Sequence, residues 1–137
     1  MKLAPGLAVG NSPIDGKGCF ATRFFPKGRK IAEYAGEVIT GREVERRIRG
    51  RRKHRICAID RGLHIDGARG GNGTHYMNHS CRPNAYMRLT RGHLLFMALR
   101  DIHPGEEITC DYVSTHHPDT YRCRCKAEGC RGTLNKQ

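Results

Sequence analysis

Three cysteines near the end of the chain, in the run Cys123-Arg124-Cys125-Lys126-Ala127-Glu128-Gly129-Cys130, are spaced as metal ligands. Zinc takes four soft or borderline ligands in a tetrahedron, with sulfur at about 2.3 Å. Two cysteines one residue apart can both turn towards a metal on a tight loop, and Gly129 lets the chain bend back so that a third sulfur closes the site. Arg122, Arg124, Lys126 and Arg131 surround the cluster with positive charge that favours thiolates. Three sulfurs leave one position open, and Cys81, in the motif-like loop Ser80-Cys81-Arg82-Pro83, is the candidate fourth ligand. Glu128 lies inside the loop and no other Glu or His is placed as a general base, so the expected ion is structural. The bland alternative is three reduced cysteines in a tail.

Two further segments are dense in groups that bind polar ligands. Asn72-Gly-Thr-His-Tyr76-Met-Asn78-His79-Ser80-Cys81-Arg-Pro83-Asn84 crowds amide, imidazole, hydroxyl and thiol side chains into one short span. Asp15-Gly16-Lys17-Gly18-Cys19 offers two glycines beside Lys17, where a ligand could approach the backbone closely; alone, such a pair reads as an ordinary turn. It opens no helix of a βαβ unit, so a dinucleotide site is rejected.

The elements that must position these groups are short and extended. With 137 residues, 37% of them hydrophobic and no Trp, the chain fits one domain with a small core, in which a metal staple would matter. Extended runs bounded by Gly, Pro, Asn and Asp predict strands over Leu7–Val9, Cys19–Thr22, Lys30–Tyr34, Glu37–Ile39, Ile56–Ile59, His64–Ile65, Ala85–Leu89, Leu94–Ala98 and Ile108–Cys110. Pro26-Lys27-Gly28 and Pro104-Gly105-Glu106 predict turns that feed strands. One helix is expected after Thr40, which with Glu43 forms a capping box, and Val44 and Ile48 then share a face.

The charge is lopsided, 25 Lys and Arg against 13 acids for a net +12, which suits a polyanionic partner. Arg42–Arg55 is the densest basic stretch: either a contact for nucleic acid or an acidic protein surface, or a solvated helix face and loop. Seven cysteines, an odd number, and a first segment without a proper secretory pattern argue against a disulfide framework and for an intracellular protein. No apolar run is long enough for a membrane helix. Oligomeric state is not legible.

In order and spacing these segments resemble the SET-domain family of protein lysine methyltransferases. The family's Gly-x-Gly turn corresponds to Gly16–Gly18, its E-Y-x-G-E strand to Glu33–Glu37, its N-H-S-C-x-P-N loop to Asn78–Asn84, its G-E-E-I-x-x-D-Y strand to Gly105–Tyr112, and its post-SET C-x-C-x4-C to Cys123–Cys130. Asp66 and Gly71-Asn72 match the stretch before the loop, and the likeness covers roughly residues 8–132.

The resemblance implies a mainly β fold of several small sheets with a knot-like crossing, one short helix and a zinc-binding tail. It divides the chain into a SET domain at 1–114, with a helical basic insert at about 40–58, and a post-SET segment at 115–137; a pre-SET module has no counterpart. It further implies S-adenosylmethionine held by Gly16, Lys17, Gly18, Cys19, Asn78, His79 and Tyr112, and zinc held by Cys81, Cys123, Cys125 and Cys130. Tyr112 would be the catalytic tyrosine, with Tyr34 and Tyr76 lining the lysine channel or the cofactor cleft. The substrate would be a lysine of a histone or another basic protein, which would place the chain in the nucleus or at chromatin if it is eukaryotic or a host-directed effector, and otherwise in the cytoplasm. Two departures stand out. His75-Tyr76 replaces Arg-Phe, and Cys110 replaces the Phe or Tyr that influences how many methyl groups are added, which predicts room for more than one. The rival readings are an inactive SET module and a basic zinc protein, either of which would bind nucleic acid or peptide without catalysis.

Overall fold

A computed structural model describes residues 1–50, 54–112, 123–125 and 127–130. Ten short strands and one α-helix make up the described secondary structure, with two single 3-10 turns at Asp60–Gly62 and Thr74–Tyr76. No helix among the described residues is long and apolar enough to cross a membrane.

The strands form three small sheets. The first holds β1 (Leu7–Asn11), β2 (Lys17–Ala21), β10 (Glu107–Cys110) and β7 (Asn78–His79), in that spatial order. Leu7 faces Ala21 and Asn11 faces Lys17 across the β1–β2 hairpin, which closes through Ser12 N–H to Gly16 O. β10 runs antiparallel to β2 but parallel to β7, with Thr109 opposite Asn78 and Cys110 opposite His79. Two segments some thirty residues apart in sequence are thereby laid side by side, and Tyr112 is delivered just beyond the ladder.

β3 (Lys30–Glu33), β9 (His93–Ala98) and β8 (Ala85–Thr90) build the second sheet, and β4 (Glu37–Thr40), β6 (Leu63–Asp66) and β5 (Ile56–Ala58) the third. Each expected strand is present with ends shifted by one or two residues. β7 was not expected, because two polar residues carry no alternation to read. The Pro26 and Pro104 turns also form, through Arg29 N–H to Pro26 O and Glu106 N–H to His103 O.

The helix α1 spans Gly41–Ile48, and Thr40 caps it by accepting the Glu43 N–H. Its inner face buries Val44, which joins Ile39, Ile56 and the half-buried Ile48 in a small satellite core. The main core lies between the first two sheets, where Phe25, Phe96, Ile102 and Ile108 are fully buried.

Candidate active site and metal centre

Asn78 is the junction of one half of the site. Its side chain is buried, and its amide nitrogen lies 3.1 Å from Asp15 O, 3.0 Å from Lys17 O and 3.1 Å from Glu107 Oε2. Ser12 Oγ donates to the same carboxylate at 2.8 Å, so the 12–18 turn is clamped to β7 and β10 at once. Gly18 is required by this closeness, since a Cβ there would overlap the Glu107 carboxylate. Gly16 differs: its φ of +48° is left-handed, and no atom stands within 4 Å of where its Cβ would be. The turn is therefore open at Gly16, where a ligand could approach the backbone, and closed at Gly18. Cys19 faces inward instead, its thiol donating to Gly73 O at 2.8 Å, and its backbone lies between Val9 of β1 and Ile108 of β10.

The second half is an apolar cavity of about 440 Å³ between the second and third sheets. Tyr34, Cys57, Met77, Phe96, Cys110 and Tyr112 are among its walls. The Tyr112 hydroxyl donates to Met77 O at 2.5 Å, and the Tyr34 hydroxyl donates to Arg55 O at 2.5 Å. Both phenols are fixed by backbone carbonyls rather than by charged groups. Burial raises their proton affinity well above that of an ordinary tyrosine, so both stay neutral. Cys57 is pushed up to about 11 by burial, and Cys110 is also raised, so the thiols facing the cavity are uncharged as well.

Tyr76 stands apart from the residues that line this cavity. Its ring packs on His75, with centroids 4.1 Å apart, and the Arg55 guanidinium lies 5.3 Å above it.

His79 connects the two halves to the cysteines. Its Nδ1 accepts the Tyr112 N–H at 2.9 Å, so Nε2 carries the proton and points it at Cys81 Sγ, 3.3 Å away. The Asp111 carboxylate lies 3.6 Å from Nδ1.

Cys81, Cys123, Cys125 and Cys130 converge, their sulfurs all within 4.8 Å of one another. A zinc–sulfur distance of about 2.3 Å implies tetrahedron edges of about 3.8 Å. Cys81 Sγ sits 3.9 Å from Cys123 Sγ and 3.8 Å from Cys130 Sγ, so the sulfur cage has zinc dimensions. The donor set, four thiols and no carboxylate, is that of a closed structural site. Burial works against a thiolate at Cys125, but the N–H groups of Cys81 and Ala127 aim at its sulfur and lower it to about 6. Arg124 reaches Asp15 at 3.6 Å, tying this tail to the 12–18 turn. Arg122, Lys126 and Arg131 lie outside the described residues, as does most of the 115–137 segment.

The basic stretch divides. Arg42, Arg46 and Arg49 are exposed, and Arg51, Arg52 and Lys53 lie outside the described residues. Arg47 turns inward, pairing with Glu37 at 2.7 Å, Glu43 at 2.7 Å and Asp66 at 2.8 Å, so it pins α1 to the third sheet. Arg55 also turns inward and donates to His75 O at 3.0 Å. The sequence assigned no individual role to Arg55, Cys57 or Glu107. The available signal for Arg55 was its place at the end of a charge run, directly before an apolar strand; for Glu107 it was the paired acid after a Pro-Gly turn.

Residues 16–113 match the sequence model of the SET domain. The trithorax histone-lysine N-methyltransferase of Drosophila virilis is 34% identical over 137 residues, covering 94% of this chain and 4% of that protein. Set2 of Drosophila melanogaster, also a histone-lysine N-methyltransferase, is 41% identical over 130 residues, covering 86% of this chain and 6% of that one. The chain thus spans a small fraction of these relatives. Among solved structures, the methyltransferase domain of human SETMAR superimposes with a TM-score of 0.83 at 30% identity, over 98% of this chain and 60% of that one.

Proposed function

Because this chain belongs to the SET-domain family, we propose that it is a protein-lysine N-methyltransferase, using S-adenosylmethionine to methylate a lysine of a histone or another basic protein at chromatin. The observation that carries the reading is the apolar cavity ending on Tyr112, backed by a strand that also ties down the Gly16–Gly18 turn. A lysine side chain and a cofactor could enter from opposite sides and meet at that tyrosine. When bound, the cofactor would supply a methyl group activated on a sulfonium.

What this chain would contribute is position and environment. The backbone at Gly16, Lys17, Gly18 and Cys19, the turn clamped by Asn78, and the His79 segment would hold the cofactor, with Tyr112 at its reactive end. Free lysine has a pKa of about 10.4, so the attacking amine must first lose a proton. Apolar walls disfavour the ammonium, and a fixed Tyr112 hydroxyl orients the neutral amine for in-line attack. Cys81, Cys123, Cys125 and Cys130 would hold one zinc ion. Through the His79 contact that ion would brace Tyr112 and fold the tail over the cofactor, closing one wall of the lysine channel.

Exposed arginines on α1 support a secondary role for the basic surface in docking on nucleic acid or nucleosomes. The test uses labelled S-adenosylmethionine with core histones and with cell extract, followed by identification of the labelled lysine. Transfer that disappears in Tyr112→Phe is expected. Steeply salt-dependent DNA binding without any transfer would favour the inactive or nucleic-acid-binding alternative.

A further inference from the structure

We propose that Arg55 is an electrostatic residue of the substrate cavity: its guanidinium, held beside the wall by His75 O, makes the site hostile to an ammonium and favours the lysine as the neutral amine. This deepens the methyltransferase reading and rests on it.

The charge around the cavity is unbalanced. A pocket built to hold an ammonium would be expected to offer a carboxylate, yet the described residues lining this cavity include Arg55 and no Asp or Glu. Three acids stand near it, and Asp111, whose charge acts on Cys110, lies 3.6 Å from His79 Nδ1. Asp66 is held by Arg47 at 2.8 Å and by the Ala68 N–H at 3.0 Å, and Glu107 by Ser12 and Asn78. Tyr34, Tyr112, Cys57 and Cys110 are kept neutral by burial. His75 is pushed towards its neutral form, first by burial and then by Arg55 itself. His54 and His64 complete the ionisable wall.

Arg55 cannot simply swing out to solvent without losing contacts. One nitrogen donates to His75 O at 3.0 Å, and the guanidinium carbon lies 5.3 Å from the centre of the Tyr76 ring. A guanidinium keeps its charge across the working range of an enzyme. The positive field reaches the reacting end, because Arg55 stabilises the ionised forms of both Tyr34 and Tyr112 against burial. A sphere of 440 Å³ is about 9 Å across, so an amine inside lies within about 10 Å of this wall, where like charges at an effective dielectric near 20 shift a titration by about one pH unit.

The test compares the full chain with Arg55→Met and Arg55→Lys, on core histones, by the pH dependence of kcat, which reports groups in the complex. Arg55→Met should move the acid limb about one pH unit upward, giving about tenfold lower kcat on that limb and a shared alkaline plateau. Arg55→Lys should keep the limb in place. In parallel, the His75 ring is titrated by NMR without substrate, and Arg55→Met should raise its midpoint. A uniform loss of kcat at every pH, or an unmoved limb, overturns the proposal, as does an unmoved His75 midpoint in a folded variant. No transfer by the unsubstituted chain would sink the methyltransferase reading and this inference with it, a result distinct from an active enzyme whose limb ignores Arg55.

Discussion

Asn84 closes the polar loop, and replacing it should loosen the strand that leads to Tyr112. Its side chain is buried and makes two bonds to β10: Oδ1 accepts the Thr109 N–H at 2.9 Å, and Nδ2 donates to Glu107 O at 2.9 Å. In Asn84→Ala the buried Thr109 N–H loses this acceptor, which costs about 1–3 kcal/mol, and the loss of the second bond adds about 0.5–1.5 kcal/mol. The sum, roughly 1.5–4.5 kcal/mol, is a large share of the stability of a domain this size. At about 3–4 °C per kcal/mol, Tm should fall by roughly 5–18 °C. Urea unfolding of the zinc-loaded, reduced protein measures the energy, and hydrogen exchange at Thr109 measures the local effect. A loss below about 0.5 kcal/mol, or unchanged protection of the Thr109 amide, would show that β10 is held by its ladders alone and refute the reasoning.

Three further outcomes are expected. Cys123→Ser or chelation should cut methyl transfer by about tenfold or more while far-UV circular dichroism changes little, since an ion held by the cysteines would act on His79 through its Cys81 contact and leave the larger sheets in place; activity that survives zinc removal intact would break that coupling. Stability should fall with acid. Burial and Arg55 hold His75 below its unfolded value of about 6.5, so the native state is favoured fully above that pH and loses stability as pH drops through it, by about 1.4 kcal/mol for each tenfold weakening of the ring's proton affinity on folding. Thermal melts between pH 5 and 8 should show a steeper decline for the wild type than for His75→Gln. Finally, the small Cys110 side chain should permit products beyond monomethyl-lysine, and Cys110→Tyr should shift mass spectra towards monomethylation; strictly monomethylated product from both chains would count against it.

Much of this arrangement was readable from local chemistry. The Thr40 cap, the Val44 and Ile48 face and both Pro-Gly-type turns follow from rules that act within a few residues, and they form as expected. The cysteine cluster was readable because zinc geometry restricts ligand type and spacing so tightly. The inward arginines were not. Arg47 and Arg55 look in sequence like their exposed neighbours, and only Glu37 and Asp66, brought in by strands, and His75, brought in by a 3-10 turn, decide which of them turn inward. β7 was hidden for a related reason: Asn78 and His79 have no extended propensity of their own, and their conformation is imposed by β10. The site side chains could be named, but their partners come from 29 to 63 residues away for Asn78 alone, a distance that periodicity does not encode.

The position of β10 also dictates an order of assembly. It is the last strand of the described chain, yet it lies inside its sheet, between β2 and β7. On a ribosome, β2 and β7 must wait with open edges until residue 110 has emerged, and only its insertion joins them. Closing such long loops is slow, and waiting edges invite pairing with other chains. The nascent protein should therefore be most prone to aggregate just before Tyr112 is made, and truncation ahead of β10 should yield an insoluble product rather than a smaller folded domain.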